Sequence, residues 1–213
     1  MKFRFLQGVL AISLAAAAQP DRRASIDVES YRINATVDLR QQTLQAQAEV
    51  RFTTQDERAL AAVFELHNSL ELSKVTDAQG RTLSTSRTIE DFTVRVNFPE
   101  PLPKGQPVTI NFLYGGVLRG DEESPIYGLT FAAIKPDRAW LLYPGRWFPV
   151  SGYTSDRYTM ELTIQAPPGF RILTDGAEIP GQGASTFKSV GQPGFSGSLA
   201  IVRDETRRGN SGG

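Results

Sequence analysis

The chain of 213 residues carries 23 Lys and Arg against 23 Asp and Glu, contains a single His and has no Cys. Its balanced charge and lack of a basic stripe argue against a nucleic-acid partner, because that affinity rests mainly on clustered Lys and Arg. Without Cys, the chain has no disulfide, no thiol nucleophile and no Cys-containing zinc site.

The N-terminus is typical of a signal peptide. The basic residues Lys2 and Arg4 precede an apolar run that ends at Ala18 in a small-x-small pattern. We therefore predict a signal peptide over 1–18, a linker over 19–29 and a secreted or periplasmic location, with an uncleaved N-terminal anchor as the alternative. The apolar run is too short to cross a bilayer comfortably and no later segment is longer, so we expect no transmembrane span.

From Ser30 onward, apolar and polar residues alternate with the period of half-buried strands. About ten short strands with little helix predict an all-β domain over 30–204, built as a curved double sheet or β-sandwich. The proline-rich stretch 99–107 is predicted to be a connection, because proline cannot donate to a sheet ladder. The tail 205–213 has no core-forming residue and is predicted to be disordered, a linker or a truncation point. The predicted strands cover 31–39, 44–52, 60–66, 70–75, 92–98, 108–114, 157–166, 170–173, 186–190 and 198–202.

Candidate catalytic and metal-binding residues are few. His67 is the only His, and a zinc site needs two or three further ligands, so we predict that it is a structural residue at a strand end. The strings around Ser151 and Ser196 lack the G-x-S-x-G pattern of a nucleophilic serine. The acidic loop at 121–123 lacks the spacing of a calcium loop and is interpreted as solvated. The residues themselves therefore predict no catalytic and no metal site.

The densest aromatic region covers residues 126–158, here called the aromatic segment. Its rings could stack on sugars if exposed, or form core or domain interface if buried. Because residues 140–143 are consecutive and apolar, at least half of them must face inward, which favours core and interface. We expect Arg146 to stack or to pair with a carboxylate. The five large rings considered are Trp140, Tyr143, Trp147, Phe148 and Tyr153.

Four blocks of sequence follow one another in a recognisable order: YRINATVDLRQQTLQAQAEVRF, VFELHNSLELSKVTDAQG, PLPKGQPVTINFLYGGVL and AWLLYPGRWFPVSGYTSDRYTMELTIQAPPGFRILTDG. This order resembles the N-terminal β-saddle domain of the zinc aminopeptidases related to aminopeptidase N. The resemblance implies a saddle-like shape and a downstream catalytic domain that holds zinc with an H-E-x-x-H motif. That motif is absent from this chain, so we expect no cofactor here and no hydrolysis by this chain alone.

The resemblance also implies that the stretch before Phe148-Pro149 reaches the amino end of a peptide substrate, usually through Gln or Glu. Here that stretch, residues 128–133, has no acid or amide, and 150–153 depart from the usual F-P-C-x-D-x-P string. We therefore expect the parent to be a zinc metalloaminopeptidase that is atypical or inactive. The cleft or interface residues predicted on this basis are Tyr127, Gly128, Leu129, Thr130, Phe131, Trp140, Tyr143, Arg146, Trp147 and Tyr153.

Two functions follow from these observations. The first is a non-catalytic N-terminal domain that walls the substrate cleft of a secreted aminopeptidase-like zinc metallopeptidase. Its partner would be a downstream catalytic domain or a separate chain, together with a peptide substrate. The alternative is a free-standing extracytoplasmic β-sandwich module that binds glycan or peptide through the aromatic segment.

Overall fold

The structure is a computed structural model, and it describes residues 26–121, 126–151, 157–181, 183–189 and 197–204. The predicted signal peptide, most of the predicted linker and the tail lie outside these residues. One short 3-10 turn, Tyr143–Gly145, accompanies the strands. The fourteen strands are β1 Ile26–Asp38, β2 Thr43–Thr54, β3 Ala61–Glu65, β4 Leu70–Asp77, β5 Ser84–Thr88, β6 Thr93–Asn97, β7 Val108–Val117, β8 Ala132–Lys135, β9 Arg138–Leu141, β10 Thr159–Gln165, β11 Phe170–Thr174, β12 Ala177–Pro180, β13 Ser185–Ser189 and β14 Leu199–Arg203.

The strands form three sheets around one hydrophobic core. Sheet I has seven strands in the order β12-β13-β10-β1-β2-β7-β4, sheet II has the order β11-β14-β9-β8, and sheet III has the order β3-β6-β5. Strands β1 and β10 pair in parallel, whereas the other paired strands are antiparallel. The predicted all-β class is confirmed. Among the described residues, no helix is long and apolar enough to cross a membrane.

Sheet I shows the alternation that the sequence predicts. In β1 and β2 every second side chain is buried in the core, while the residues between them face outward. On the outer face Arg32 pairs with Glu49 at 3.0 Å, and Lys188 pairs with Glu161 at 3.0 Å. These charged side chains are substantially exposed, so each pair adds little stability. The outer face is therefore a solvated polar surface and the inner face carries the core.

The turn between β1 and β2 connects sheet I to sheet II. Asp38 Oδ1 accepts hydrogen bonds from the backbone N–H groups of Arg40 and Gln41 at 2.8 and 2.9 Å. Gln42 then takes a left-handed conformation at φ 59°, and its Nε2 donates to the carbonyl of Ile134 in β8 at 2.8 Å. The Leu118 N–H donates to the Gln42 carbonyl at 3.0 Å. These bonds fix the position of sheet II at the end of β2.

The structure adds elements that the alternation did not predict. β1 begins at Ile26, so the last four residues assigned to the linker belong to a strand. β5 was missed because its five residues are polar and mostly exposed. β8 and β9 were missed because each has only four residues and both lie inside the aromatic segment. β12 is a short strand at the edge of sheet I that ends in Pro180.

The core side of β7 carries one unusual polar group. Ile110, Phe112 and Tyr114 all face inward and are buried. Among the described residues, the Tyr114 hydroxyl has no hydrogen-bond partner. Burial raises the pKa of the Tyr114 hydroxyl above its ordinary range, because the charged form would lose its solvation. An unsatisfied buried hydroxyl lowers the stability of the fold.

The predicted turn after β4 is held by one carboxylate. Asp77 Oδ1 accepts from the backbone N–H groups of Gln79 and Arg81 at 3.0 and 2.9 Å, and Oδ2 accepts from Arg81 Nε at 2.6 Å. Partial desolvation raises the pKa of Asp77, but the hydrogen bonds from Arg81 and Gln79 lower it by more. The net pKa of this carboxyl lies below its ordinary value.

Candidate functional site

The centre of the aromatic segment is part of the core. After β9 the chain makes the turn Tyr143–Gly145, and Arg146 then leads to the fully buried Trp147 and Phe148. Trp147 Nε1 donates to the Gly197 carbonyl at 2.8 Å, which satisfies the indole inside the protein. The Phe148 ring packs edge-on against Trp147 and Tyr31, at centroid distances of 5.1 and 5.3 Å. Tyr143 and Trp147 are therefore placed in the core, where they are not available to stack on a sugar.

Arg146 links the aromatic segment to sheet III. It has φ 56°, a left-handed conformation that is uncommon for a residue with a side chain. Its Nε donates to Glu65 Oε2 in β3, and its guanidinium lies 4.5 Å from the centroid of the Phe92 ring. Glu65 also forms a two-way backbone bridge with Val150, at 2.7 and 2.9 Å. Arg146 thus both stacks and pairs with a carboxylate, as the sequence predicted.

The residues between β3 and β4, 66–69, are here called the His67 loop. His67 is only 6% exposed, and its N–H donates to the Arg146 carbonyl at 2.9 Å. Its ring nitrogen Nδ1 accepts from the Ser69 N–H at 3.1 Å. The Ser69 carbonyl lies so close to β7 that a Cβ on Gly116 would be 1.9 Å from it, so this position requires glycine. His67 therefore has the structural role that the sequence predicted.

Arg87 of β5 holds the His67 loop from the other side. Its Nη1 donates to the carbonyls of Leu66 and His67 at 3.0 and 3.2 Å, and its Nη2 donates to the Leu70 carbonyl at 2.7 Å. Burial lowers the pKa of the Arg87 guanidinium, while the nearby Glu71 carboxylate opposes that change. One side chain thus donates to three backbone carbonyls, of which that of His67 also accepts from the Leu70 N–H at 3.0 Å.

A second part of the aromatic segment is exposed. Residues 126–131, here called the 126–131 loop, form a turn in which the Leu129 N–H donates to the Ile126 carbonyl at 3.1 Å. Tyr127 is fully exposed, and Ile126 and Leu129 are each 53% exposed. Gly128 takes φ 80°, which suits glycine. The loop therefore presents apolar side chains to solvent, and Phe131 at its end is partly buried.

The outer face of sheet II adjoins this loop at Trp140. Trp140 Nε1 donates to the Thr130 carbonyl at 2.8 Å, which joins β9 to the loop. Cross-strand pairing places Leu173, Ala200 and Trp140 side by side on one face. Leu173 is largely exposed and Trp140 is half-buried. We call the side chains of Ile126, Tyr127, Leu129, Trp140 and Leu173 the loop surface.

The predicted site residues therefore separate into two groups. Tyr127, Leu129 and Trp140 belong to the loop surface, and Gly128, Thr130 and Phe131 lie in the 126–131 loop beside it. In contrast, Tyr143, Arg146 and Trp147 belong to the core and its junction with sheet III. Tyr153 lies outside the described residues, as do 122 and 123 of the acidic loop. Asp121 of that loop lies 3.8 Å from Lys135 Nζ.

Sequence reasoning missed the partners of the predicted residues. Glu65 interrupts an apolar run, and a charged residue inside such a run was the available signal for a buried ion pair. Arg87 gave no signal, because its strand is polar throughout. Phe92 was assigned to a strand, but it adopts φ 59° in the turn before β6 and its ring lies under Arg146.

Comparison with known proteins identifies solved structures with a similar fold but no matching sequence family. No protein-family model and no curated protein matches the chain. The M1 zinc metallopeptidase from Deinococcus radiodurans matches with a TM-score of 0.65 at 18% identity, over 85% of this chain and 43% of that chain. A mutant of that enzyme bound to a Tyr-Ser-Ala substrate matches with a TM-score of 0.65 at 17% identity, over 83% and 42%. Yeast LTA4 hydrolase matches with a TM-score of 0.62 at 13% identity, over 83% and 28%.

The chain thus spans less than half the length of these solved structures. Its β architecture is that of one part of an M1 zinc metallopeptidase. The resemblance predicted from the order of sequence blocks is confirmed at the level of fold.

Proposed function

We propose that this chain is the non-catalytic N-terminal β domain of a larger, secreted M1-like zinc metallopeptidase, in which it forms one wall of the substrate cleft. The observation that carries the proposal is the fold match, which extends over most of this chain but less than half of each matching enzyme. A domain that corresponds to less than half of an enzyme is expected to act together with the rest of that enzyme. The proposed reaction of the parent is removal of N-terminal residues from peptides.

Zinc would be bound outside this domain. A catalytic zinc needs three protein ligands and an open position for water. The chain has one His and no Cys, and no group of three His, Asp or Glu able to hold a metal occurs in the described ranges. The described residues therefore do not fit a zinc site. In our proposal, the partner domain supplies both the metal and the general base.

The loop surface is the side that we propose for contact with the catalytic domain. Exposed apolar side chains gathered at one place favour an interaction site over a solvated surface. Tyr127 is the strongest indication, since its ring is fully exposed at the tip of the 126–131 loop. The resemblance assigns this same stretch to the amino end of a peptide substrate. The loop surface would then lie at the boundary between the two domains and the cleft.

The first test is the reading frame beyond the Gly213 codon in the source DNA. We expect it to encode a catalytic domain with H-E-x-x-H, or a nearby gene to do so. A stop codon with no such frame nearby would count against a peptidase parent. The purified chain alone should release no product from aminoacyl reporter amides, and measurable release would contradict a non-catalytic role.

The second test addresses the loop surface in the protein that contains both domains. Leu129→Ser should weaken contact between the domains and raise KM for an aminoacyl reporter. Ile89→Ser is a matched control, because Ile89 is 54% exposed and Leu129 is 53% exposed, but Ile89 lies in the turn between β5 and β6. Equal increases in KM for the two variants would contradict the assignment of the loop surface to contact with the catalytic domain.

The alternative of a free-standing binding module would use Tyr127 and Trp140. Both rings lie at the loop surface, and Tyr127 is exposed as a sugar-stacking ring must be. A glycan array probed with the chain and with Tyr127→Ala tests this alternative directly. Binding that is lost in the variant, with the fold intact and no catalytic partner present, would favour the module.

A further inference from the structure

A small groove lies on the outer face of sheet I, where β2, β7 and β4 run side by side. Cross-strand pairing places Lys74, Leu113 and Gln47 in one row, and Thr76 and Asn111 in the next. Directly paired residues of neighbouring strands project from the same face of a sheet. These five side chains line a groove of about 250 Å³, here called the outer groove. It shares no residue with the loop surface.

A β-bulge directs Lys74 to this groove. Leu72 pairs with Tyr114, and Lys74 pairs with the adjacent residue of β7, Leu113, so Ser73 is an extra residue in β4. Without it, Lys74 would lie on the same face as Leu72, which packs against the core. Bulges are frequent at sheet edges and next to active sites, where they re-aim a side chain. The bulge therefore brings an ammonium group to the outer face.

The polar groups of the outer groove are not used within the described part of the chain. Among the described residues, the side chains of Gln47, Lys74 and Asn111 form no hydrogen bond and no ion pair. Lys188 on the same face of sheet I differs, because it pairs with Glu161 at 3.0 Å. The outer groove thus gathers one ammonium group and two side-chain amides whose hydrogen-bonding capacity is open to a ligand.

The carboxylates next to the outer groove do not neutralise its ammonium group. Glu49 and Asp77 each pair with an arginine, at 3.0 and 2.6 Å. Glu71, also in β4, lies near Arg87 and interacts with its charge. None of these three carboxylates forms an ion pair with Lys74, which is exposed. An anionic group of a ligand would therefore find an unpaired cation in the groove.

The side chains of the outer groove offer both donors and acceptors. The amides of Gln47 and Asn111 and the hydroxyl of Thr76 each do both, whereas Lys74 only donates. A simple anion such as sulfate offers acceptors only and would leave the amide carbonyls without donors. A ring of hydroxyl groups satisfies both, and a carboxylate on that ring matches the compact charge of an ammonium group. Leu113 is 48% exposed and supplies an apolar contact for the C–H face of a sugar.

A peptide is a poorer match for the outer groove. Extended peptides commonly bind by adding a strand to the edge of a sheet, where main-chain hydrogen bonds supply the affinity. β2 and β7 are interior strands of sheet I, each paired on both sides. A ligand above them can contact side chains only. A groove of about 250 Å³ also suits one sugar ring better than an extended segment.

We propose that the outer groove binds a uronic acid, a sugar ring that carries a carboxylate. Lys74 pairs with the carboxylate, and the amides of Gln47 and Asn111 bind the ring hydroxyls. The site is small and open to solvent, so the affinity is modest, with Kd on the order of 1 mM. The inference is independent of the proposed function.

The test is a titration of the full chain followed by backbone amide NMR, with methyl glucuronide and methyl glucoside as the two ligands. They differ only in the carboxylate. Methyl glucuronide should shift the resonances of residues 111–113, and methyl glucoside should bind about tenfold more weakly, the size expected for loss of one charged hydrogen bond. Equal affinity for the two sugars, or no shift at 111–113 with either, would overturn the proposal.

Variants then assign the charge to one side chain. Lys74→Gln should reduce the affinity for methyl glucuronide by about tenfold. Lys188→Gln is the matched control on the same face, because the Lys188 ammonium is already paired with Glu161, and it should bind like the wild type. Circular dichroism checks that both variants fold. An equal loss in the two variants would mean that the charge of the whole face attracts the ligand, which overturns the site.

Two further ligands test the assignment to a sugar. Acetate carries the carboxylate without the hydroxyl groups, and the dipeptide Gly-Glu carries carboxylates on a peptide. Both should bind more weakly than methyl glucuronide, because neither satisfies the two amides as well as the ammonium group. Acetate or Gly-Glu binding as tightly at residues 111–113 would overturn the assignment to a uronic acid.

Discussion

Sheet I and the aromatic segment are both rich in apolar residues, but they distribute them differently. In sheet I neighbours in sequence alternate between the two faces, so buried Tyr31 is followed by Arg32 on the solvent side. In the aromatic segment the rings do not alternate: Tyr127 is fully exposed and Trp147 is fully buried. Alternation with a period of two residues predicts which face of the sheet each side chain lies on. A high density of aromatic residues predicts only that large rings are present.

This difference separates two kinds of apolar residue that look alike in the sequence. Trp147 is held by a hydrogen bond to Gly197 and by neighbouring rings. Tyr127 lies in a turn, and its side chain is fully exposed. Buried rings such as that of Trp147 should stabilise the fold, whereas exposed rings such as that of Tyr127 should contribute to binding.

The largest effect is expected for Trp147→Ala. The variant leaves a large cavity and an unpaired Gly197 carbonyl, so we expect unfolding free energy to fall by about 3–5 kcal/mol. Urea denaturation followed by far-UV circular dichroism measures it. Trp140→Ala is the matched control, because Trp140 is the other of the two Trp residues and is only half-buried. An equally large loss of unfolding free energy in Trp140→Ala would contradict the distinction between buried and exposed rings.

A smaller loss is expected for Glu65→Gln, which removes the charge that Arg146 pairs with. The side chains of Arg146 and Glu65 are 12% and 20% exposed, so we expect a loss of about 1–3 kcal/mol. The control is Glu57→Gln, whose pair with Lys104 at 3.4 Å is far more exposed, and whose effect should be within about 0.5 kcal/mol. Parallel thermal melts compare them. Indistinguishable melting temperatures would show that the junction with sheet III is not held by this pair.

The opposite sign is expected for Tyr114→Phe in sheet I. Removing a buried hydroxyl that lacks a partner among the described residues should leave stability unchanged or raise it by up to about 1 kcal/mol. Urea denaturation with an unchanged slope is the measurement. A loss of unfolding free energy above about 1 kcal/mol would contradict this interpretation. It would indicate that the Tyr114 hydroxyl is hydrogen-bonded, because removal of a bonded hydroxyl destabilises the fold.

The smallest effect is expected for Tyr127→Ala. The Tyr127 ring is fully exposed, so unfolding free energy should change by less than about 0.5 kcal/mol. The same denaturation experiment measures this value beside that of Trp147→Ala. A loss comparable to that of a core residue would show that the 126–131 loop packs in solution, and would contradict its assignment to the loop surface.

The parts of the fold that the sequence predicts are those governed by a local rule. β1, β2 and β7 follow alternation, the proline-rich stretch 99–107 is a connection, and the turn at Asp77 has the residues of a turn. β5, β8 and β9 were not predictable in this way, since tertiary pairing specifies them and their own residues do not.

The candidate site was predictable only in part, for the same reason. The order of sequence blocks led to the correct fold, and residues of the 126–131 loop were named from it. That Phe148 and Trp147 face the core depends on contacts with Tyr31 and Gly197, which lie far away in the sequence. The Arg87 clamp on the His67 loop likewise depends on a strand without an apolar pattern.

The parallel pairing of β1 with β10 has a consequence for how the chain reaches its fold. Thr36 and Gln165 share a hydrogen bond although 129 positions separate them, and β1 lies in the middle of sheet I. During synthesis one edge of β1 therefore stays unpaired until β10 has emerged from the ribosome. Such long-range pairing slows folding to about the millisecond-to-second range and leaves strand edges open to aggregation meanwhile. Cells that make this protein are thus expected to need a holding chaperone during that interval.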